Sequence, residues 1–317
     1  MNSSLRLILS TDGSTLYSHQ SRCEEGSLYL EEQDAKGICM VSNKCHDPAT
    51  VLCSEASAVT CIVGERETHI CKHCFNKIDR KAKARDDFPT ITFCSMKCLE
   101  EASAYLDICG TILNNISKIN DPKWINITHI MKLAVHYIYE IYIAQTAKEL
   151  IHKLSVLQLE SHENVFIQEL QDTSQWLLKQ FQTILTKDIL ISLKSRGLDL
   201  TELSANKLIY KLFCIIKYNS QPLTIYGIPK VQLLSLIPNM ARINHSCCPN
   251  SILLYNTPQN IPDFNINHID QVIISVVNIR KLEINEEITV SYVQPLCSSL
   301  ELRQELLKQG FNFNCTC

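Results

Sequence analysis

The sequence predicts an α+β protein from three patterns. Apolar residues recur at three- and four-residue steps from about 111 to 218, which is a helical period. Short β-rich runs separated by Pro, Asn and Asp follow Asn219. Ahead of both, residues 71 to 109 hold a cluster of cysteines in close pairs.

The elements follow in order. Residues 1–33 are polar, carry no clear period and read as an extension with a short hairpin. Val51 to Val63 is β-branched in places and fits one or two strands. Met131, Val135, Ile138, Ile141, Tyr142, Ile151, Leu154 and Leu157 give the first helical stripe. Leu177, Phe181, Ile184, Leu185, Ile189 and Leu193 give the second. Leu208, Ile209, Leu212, Phe213 and Ile216 give a third helix, with Thr201 as a candidate N-cap. All three stripes are explained by ordinary core packing. Ser251 to Tyr255, Gln271 to Val277 and Glu287 to Val293 read as strands; in the last, Ile288, Val290 and Tyr292 share one face. A closing helix is expected over Ser299 to Gln309.

With 317 residues the chain is long enough for one large domain or two to three small ones. A composition that is 45% hydrophobic and 20% charged excludes a disordered chain. A net charge of −3 gives no bulk attraction to nucleic acid, although a local basic patch stays open. The most apolar stretch, Met131 to Ala147, is broken by Lys132, His136 and Glu140, so no membrane span is expected. The first ten residues lack a small-residue cleavage site, which argues against a secretory signal and for an intracellular location, cytoplasm or nucleus. The 16 cysteines are then expected to hold metal rather than disulfides.

Cys71 and Cys74 form a C-x2-C pair, and Cys94 and Cys98 a C-x3-C pair about twenty residues on. Four thiolates so spaced match a closed, tetrahedral structural zinc site; buried free thiols are the alternative. Between the pairs, Arg80, Lys81, Lys83 and Arg85 form a basic run that a solvated loop explains better than a nucleic-acid contact. Further on, Asn244-His245-Ser246-Cys247-Cys248-Pro249-Asn250 places an amide, an imidazole, a hydroxyl, two thiols and a Pro-Asn between apolar segments. A surface loop would account for that composition alone.

The cysteine cluster resembles a MYND zinc finger with parts missing. The four cysteines above match its first zinc. For the second zinc there is no inner cysteine pair, the histidine position falls on Tyr105, and only Cys109 matches, so the resemblance implies one zinc in the finger. The Asn244–Asn250 run resembles the NHSC-x-PN signature of SET domains that carry a MYND insertion, preceded by a fitting Ile237-Pro238-Asn239-Met240. Glu286 to Tyr292 resembles that family's G-E-E-I-T-I-S-Y with Asn285 in place of glycine. Arg303, Leu306, Phe311, Phe313, Cys315 and Cys317 resemble its closing segment, Ala35 to Ile38 its G-x-G-L, and Asn219-Ser220 its N-S. The first glycine of G-x-G-L is lost.

The chain is thus similar to the SET and MYND domain-containing (SMYD) lysine methyltransferases, here without the helical C-terminal domain of several members. The resemblance implies a SET β-fold with an inserted zinc finger and helical insert, closed by a cysteine-containing post-SET segment. Its expected divisions are an extension over 1–33, SET core over 34–69 and 219–296, finger over 70–110, helical insert over 111–218 and post-SET segment over 297–317.

It also implies transfer of methyl from S-adenosylmethionine to a lysine of a histone or other protein substrate. Tyr292 would be the catalytic tyrosine. Asn244 and His245 would bind the donor's adenosine part, Asn219 its amino-acid end, Phe313 would stack near the adenine, and Lys36, Gly37 and Ile38 would lend backbone groups. Cys247, Cys315 and Cys317 match three of four ligands of a post-SET zinc, the fourth falling three residues past Cys317. Ala241 stands where the family often has a small hydroxyl. Phe311 replaces a frequent second tyrosine, which frees space near the amine and favours higher methylation states. The half-lost finger, missing glycine and incomplete post-SET site leave a second reading open, a catalytically weak SET fold serving as an interaction scaffold.

Overall fold

The structure, a computed structural model, describes residues 7–8, 21–23, 27–33, 37–57, 59–64, 67–78, 82–121, 124, 127–140, 165–195, 198–201, 204–224, 231–256, 272–293, 297–311 and 313–316. Of the residues singled out above, Ala35, Lys36, Arg80, Lys81, Ile141, Tyr142, Ile151, Leu154, Leu157, Gln271 and Cys317 lie outside these. The elements mix helix and sheet, compatible with an α+β class. No helix among the described residues is long and apolar enough to cross a membrane. The chain divides into two compact units, Met1–Ala56 with Pro238–Asn267 and Ile273–Cys317, and Ser57–Ile237 with His268–Val272.

The first unit is built on sheets. Leu28–Gln33 is the central strand of a three-stranded sheet, paired with Leu7–Ile8 and, in a hairpin, with Gly37–Ser42. Leu28, Tyr29 and Leu30 are all buried, so both faces are covered and no alternation marks the strand in the sequence. Gly37 enters the second strand at φ +72°, where a Cβ would be strained. A four-stranded antiparallel sheet runs in the order Ser251–Asn256, Ile273–Asn278, Val51–Ala56, Ser21–Cys23.

The predicted strand over Glu287 to Val293 is shorter in the structure. Only Thr289–Val290 forms ladder, parallel to Asn244–His245, with a single bridge from Val41 to Glu287 before it. Beyond Val290 the chain turns, and the Ser291 hydroxyl donates to the Val293 carbonyl. Ile288 and Val290 still face the core as the alternation required, and Tyr292 is half-buried. The closing helix spans Leu300–Phe311.

The second unit is mostly helical. Val59–Gly64, Val231–Leu236 and Ser220–Thr224 form an antiparallel sheet with the Val231–Leu236 strand in the middle. The Thr128–Ile138 helix packs on the Val59–Gly64 strand and is buried on nearly every side, as expected of a helix apolar all round. The Val165–Ile184 helix buries Leu170, Leu177, Leu178 and Phe181 on one stripe. The second helical stripe proves to be two helices. The first ends at Ile184 and the next, Lys187–Ser195, starts behind Thr186, whose hydroxyl accepts from Ile189 N–H. The following helix spans Ser204–Asn219; the hydroxyl and N–H of Thr201, the candidate N-cap, both donate to the Asp199 carboxylate.

Within this unit the Lys83–Arg85/Phe88–Phe93 ribbon meets the Ser103–Ser117 helix at Gly110. A Cβ there would lie 2.5 Å from the Phe88 ring, closer than atoms approach. Gly110→Ala is therefore expected to destabilise the fold by about 1–3 kcal/mol, the usual cost of overpacking. Chemical denaturation would read this. A gain in stability, which helix propensity alone predicts, would show that the ring moves away freely.

Candidate functional site

The Asn244–Asn250 segment is held in the first unit by its last residue. The Asn250 Nδ2 donates to the Glu287 carbonyl (2.7 Å) and a Glu286 oxygen (3.2 Å), and its Oδ1 accepts from Thr289 N–H (2.9 Å) and the Ser251 hydroxyl. On the facing side, Ser42 N–H donates to Glu286 and Ile288 N–H to Met40. Asn285 turns the chain into this stretch at φ +62°, which Asn tolerates better than other side chains and which accounts for glycine in the motif it resembles. Its Oδ1 accepts from the Tyr29 hydroxyl.

So placed, Asn244 directs its Nδ2 at a Glu287 oxygen (2.9 Å), the Cys39 sulfur (3.2 Å) and the Ile38 carbonyl (3.5 Å). His245 accepts the Tyr292 N–H on Nδ1 at 3.0 Å and sets Nε2 3.3 Å from the Cys247 sulfur. Burial, and then the charge of Arg303, hold the His245 imidazole down at about 4, so it is neutral at pH 7.

The Tyr292 hydroxyl donates to the Ile243 carbonyl at 2.6 Å. Its one proton is thereby committed, and its oxygen lone pairs are left to accept. Burial, and then the charge of Glu287, push the phenol well above the ordinary tyrosine range. The ring stands among Phe311 (4.7 Å), His245 (5.5 Å) and Phe313 (6.4 Å). Such a wall attracts a soft cation through ring faces while disfavouring a strongly hydrated one.

Tyr292, Asn244, His245 and Phe313 are therefore brought together, and Ile38 reaches Asn244. Asn219 belongs to the other unit, where its buried amide donates to the Ile215 carbonyl. Sequence reasoning missed Glu287, Cys39 and the Ile243 carbonyl. Only Glu287 carried a signal, as the second acid of the Glu286-Glu287 pair.

Two clusters suit a metal. In the second unit the sulfurs of Cys71, Cys74, Cys94 and Cys98 all lie within 4.8 Å of one another, with Cys74–Cys94 and Cys94–Cys98 at 3.6 Å. Tetrahedral zinc with Zn–S of about 2.3 Å needs edges of about 3.8 Å, so the donors fit. Ser95, Oγ accepting from Cys98 N–H, starts the Met96–Glu101 helix and fixes the second pair; the Cys71 carbonyl accepts from Phe75 N–H around the first. Asn76 Nδ2 donates to the Cys74 sulfur. The Cys74 side chain, aided by nearby backbone N–H groups, pulls the Cys71 thiol down to about 4 against its burial, while burial pushes Cys98 up to about 11. Such thiols share protons until a cation replaces them.

Where a second finger zinc would need histidine, Tyr105 stacks on His136 (4.6 Å, 21°) and Tyr139 meets it edge-on. The Cys109 thiol is pushed up by burial, and among the described residues no metal-sized cluster includes it. In the basic run, Arg85 is engaged by Asp87 and Asp107.

The other cluster is His245, Cys247 and Cys315 in the first unit, with their ligand atoms within 4.8 Å and the two sulfurs 3.8 Å apart. The sequence had assigned Cys247 and Cys315 but not the imidazole.

No family model matches the chain. It is 33% identical over 84 residues to human histone-lysine N-methyltransferase SMYD1, an alignment covering 26% of this chain and 17% of that protein. It is 27% identical over 164 residues to human histone-lysine N-methyltransferase SMYD3, covering 51% and 32%. With histone-lysine N-methyltransferase ASHR1 of Arabidopsis thaliana it shares 34% over 86 residues, covering 27% and 15%. The chain thus spans less than a third of the length of these curated relatives. These partial similarities, together with the four-cysteine cluster, point to a SMYD-like family.

Proposed function

We propose that this chain carries the catalytic site of an S-adenosylmethionine-dependent protein-lysine N-methyltransferase with a SET fold. The SET core would comprise 34–69 and 219–296, interrupted by a one-zinc MYND-type finger and a helical insert and closed by the post-SET segment. The observation that carries the reading is the aromatic-walled Tyr292, its proton held by Ile243 and its backbone held by His245. Similarity to proteins named as histone-lysine methyltransferases supports it.

S-adenosylmethionine, when bound, supplies a methyl group on a sulfonium cation. Asn244, His245 and Phe313, with Gly37 and Ile38, would hold it. The protein substrate, a histone or another protein, presents a lysine whose amine has an ordinary pKa of about 10.4 and must lose its proton before it can attack. The apolar rings around Tyr292 disfavour the ammonium form. The lone pairs of the Tyr292 oxygen accept from the amine and align it, so catalysis is chiefly orientation. Structural zinc would sit on Cys71, Cys74, Cys94 and Cys98, and a second on Cys247, Cys315 and Cys317.

The test is donor binding by calorimetry together with transfer of labelled methyl groups to a protein extract. Both are expected. Neither would be seen with an interaction scaffold. Asn244→Ala is expected to weaken donor binding by about 1–3 kcal/mol, the cost of stranding buried polar partners, with less change in unliganded stability. Unaltered affinity in that variant would remove Asn244 from the donor site.

A further inference from the structure

We infer that the His245 imidazole is a strut joining a metal-bound Cys247 thiolate to the Tyr292 backbone, and is not itself a ligand of that metal. The inference rests on the reading of Cys247 and Cys315 as metal ligands.

The direction of the hydrogen bonds decides between strut and ligand. A backbone N–H can only donate, and Tyr292 N–H donates to His245 Nδ1 at 3.0 Å. Nδ1 therefore presents a lone pair. A neutral imidazole carries one ring proton, so that proton is on Nε2. Nε2 lies 3.3 Å from the Cys247 sulfur, in position to donate to it. A metal-bound histidine has the opposite arrangement: one ring nitrogen gives its lone pair to the metal and the other donates its N–H to a carbonyl or carboxylate. Here ligation through Nε2 would set an Nδ1–H against the N–H of Tyr292.

The backbone gives this contact its importance. Asn244–His245 pairs in parallel with Thr289–Val290, and Ser246 N–H closes the ladder on the Val290 carbonyl. Two residues on, Tyr292 N–H has a side chain for its partner. The imidazole is the rung that carries the ladder one step further, to the residue whose hydroxyl reaches Ile243. Its other edge rests on Cys247, whose sulfur is 3.8 Å from that of Cys315. Metal on those sulfurs fixes the thiolate, the thiolate fixes the ring, and the ring fixes the start of Tyr292. His245 is thus a positioning residue.

The test uses the full chain reconstituted with cadmium-113 and labelled with nitrogen-15 at histidine and tyrosine. Two cadmium resonances are expected, one from the four-cysteine cluster and one from Cys247 and Cys315. The second should show no scalar coupling to the carbon-bound ring protons of His245, and Nε2 should carry the His245 ring proton. A coupling to those ring protons, or a proton on Nδ1, would make His245 a ligand and overturn the strut. A single cadmium resonance, unchanged in Cys315→Ser, would instead overturn the metal reading on which the strut depends.

Positioning is read separately. Removing the second cadmium by chelator titration should shift the Tyr292 amide resonance in the parent chain. In His245→Asn, whose Oδ1 can still accept from Tyr292 but which lacks the Nε2–H that faces Cys247, the shift should be lost. An equal shift in both chains, or none in the parent, would overturn the coupling.

Discussion

Tyr292→Phe is expected to lower methyl transfer by about tenfold to a thousandfold, by analogy with removing one well-placed hydrogen-bonding group. Phenylalanine keeps nearly all the volume, so the contacts with Phe311, His245 and Phe313 persist and the fold is retained. The hydroxyl leaves the Ile243 carbonyl without its partner, which costs about 1–3 kcal/mol of stability if no water replaces it. Donor affinity should change little. An interaction felt mainly in the transition state appears in the rate of single turnover and not in donor binding. Equal single-turnover rates for variant and parent on a genuine protein substrate would sink the catalytic role of Tyr292. A fall in donor affinity matching the fall in rate would make it a binding residue instead.

Cys74→Ser is expected to remove one metal per chain and to destabilise the second unit by several kcal/mol. The cluster has four sulfurs at zinc-like separations, three of them on buried residues. Structural zinc of this type contributes an apparent binding free energy of about 10–16 kcal/mol in small peptides, and that energy is folding energy. Serine supplies no comparable ligand, and the remaining thiols return to sharing protons. The elements that depend on the site are short: the Met96–Glu101 helix has six residues and the Lys83–Arg85/Phe88–Phe93 ribbon two strands. Such pieces do not hold their shape unaided. Elemental analysis and thermal unfolding would read the effect, and a strong chelator acting on the parent chain should reproduce it. A melting temperature indifferent to both variant and chelator would mean that the four cysteines are ordinary buried thiols.

The elements legible in the sequence are those with a repeating chemical signal. The Thr128–Ile138 helix stood out because its apolar period reflects burial directly: Met131, Val135 and Ile138 are all buried. Leu28–Gln33 did not, because its first three residues are all buried and carry no alternation. The break at Leu185–Thr186 was hidden because the apolar stripe continues across it, and Thr186 became visible as a cap only through its hydroxyl bond.

At the site, the motif made Asn244, His245 and Tyr292 stand out as residue types. It could not reveal that the Asn244 amide spends its protons on Glu287, Cys39 and Ile38, or that His245 lies against Cys247. Those contacts join positions 43 or more residues apart, or depend on which way a ring faces, and spacing encodes neither.

Asn250 has a consequence for how the chain can vary. One amide fastens the end of the motif to Glu286, Glu287 and Thr289, positions 36 or more residues away in the chain. Its two donors and its acceptor are all used at once, so no other side chain of that size can replace it. Aspartate at position 250 would keep the acceptor but turn the two donors into a charge facing Glu286, an unfavourable pairing of like charges. A conservative change in shape is therefore a severe change in chemistry at this one position, and the ladder that carries Tyr292 depends on it.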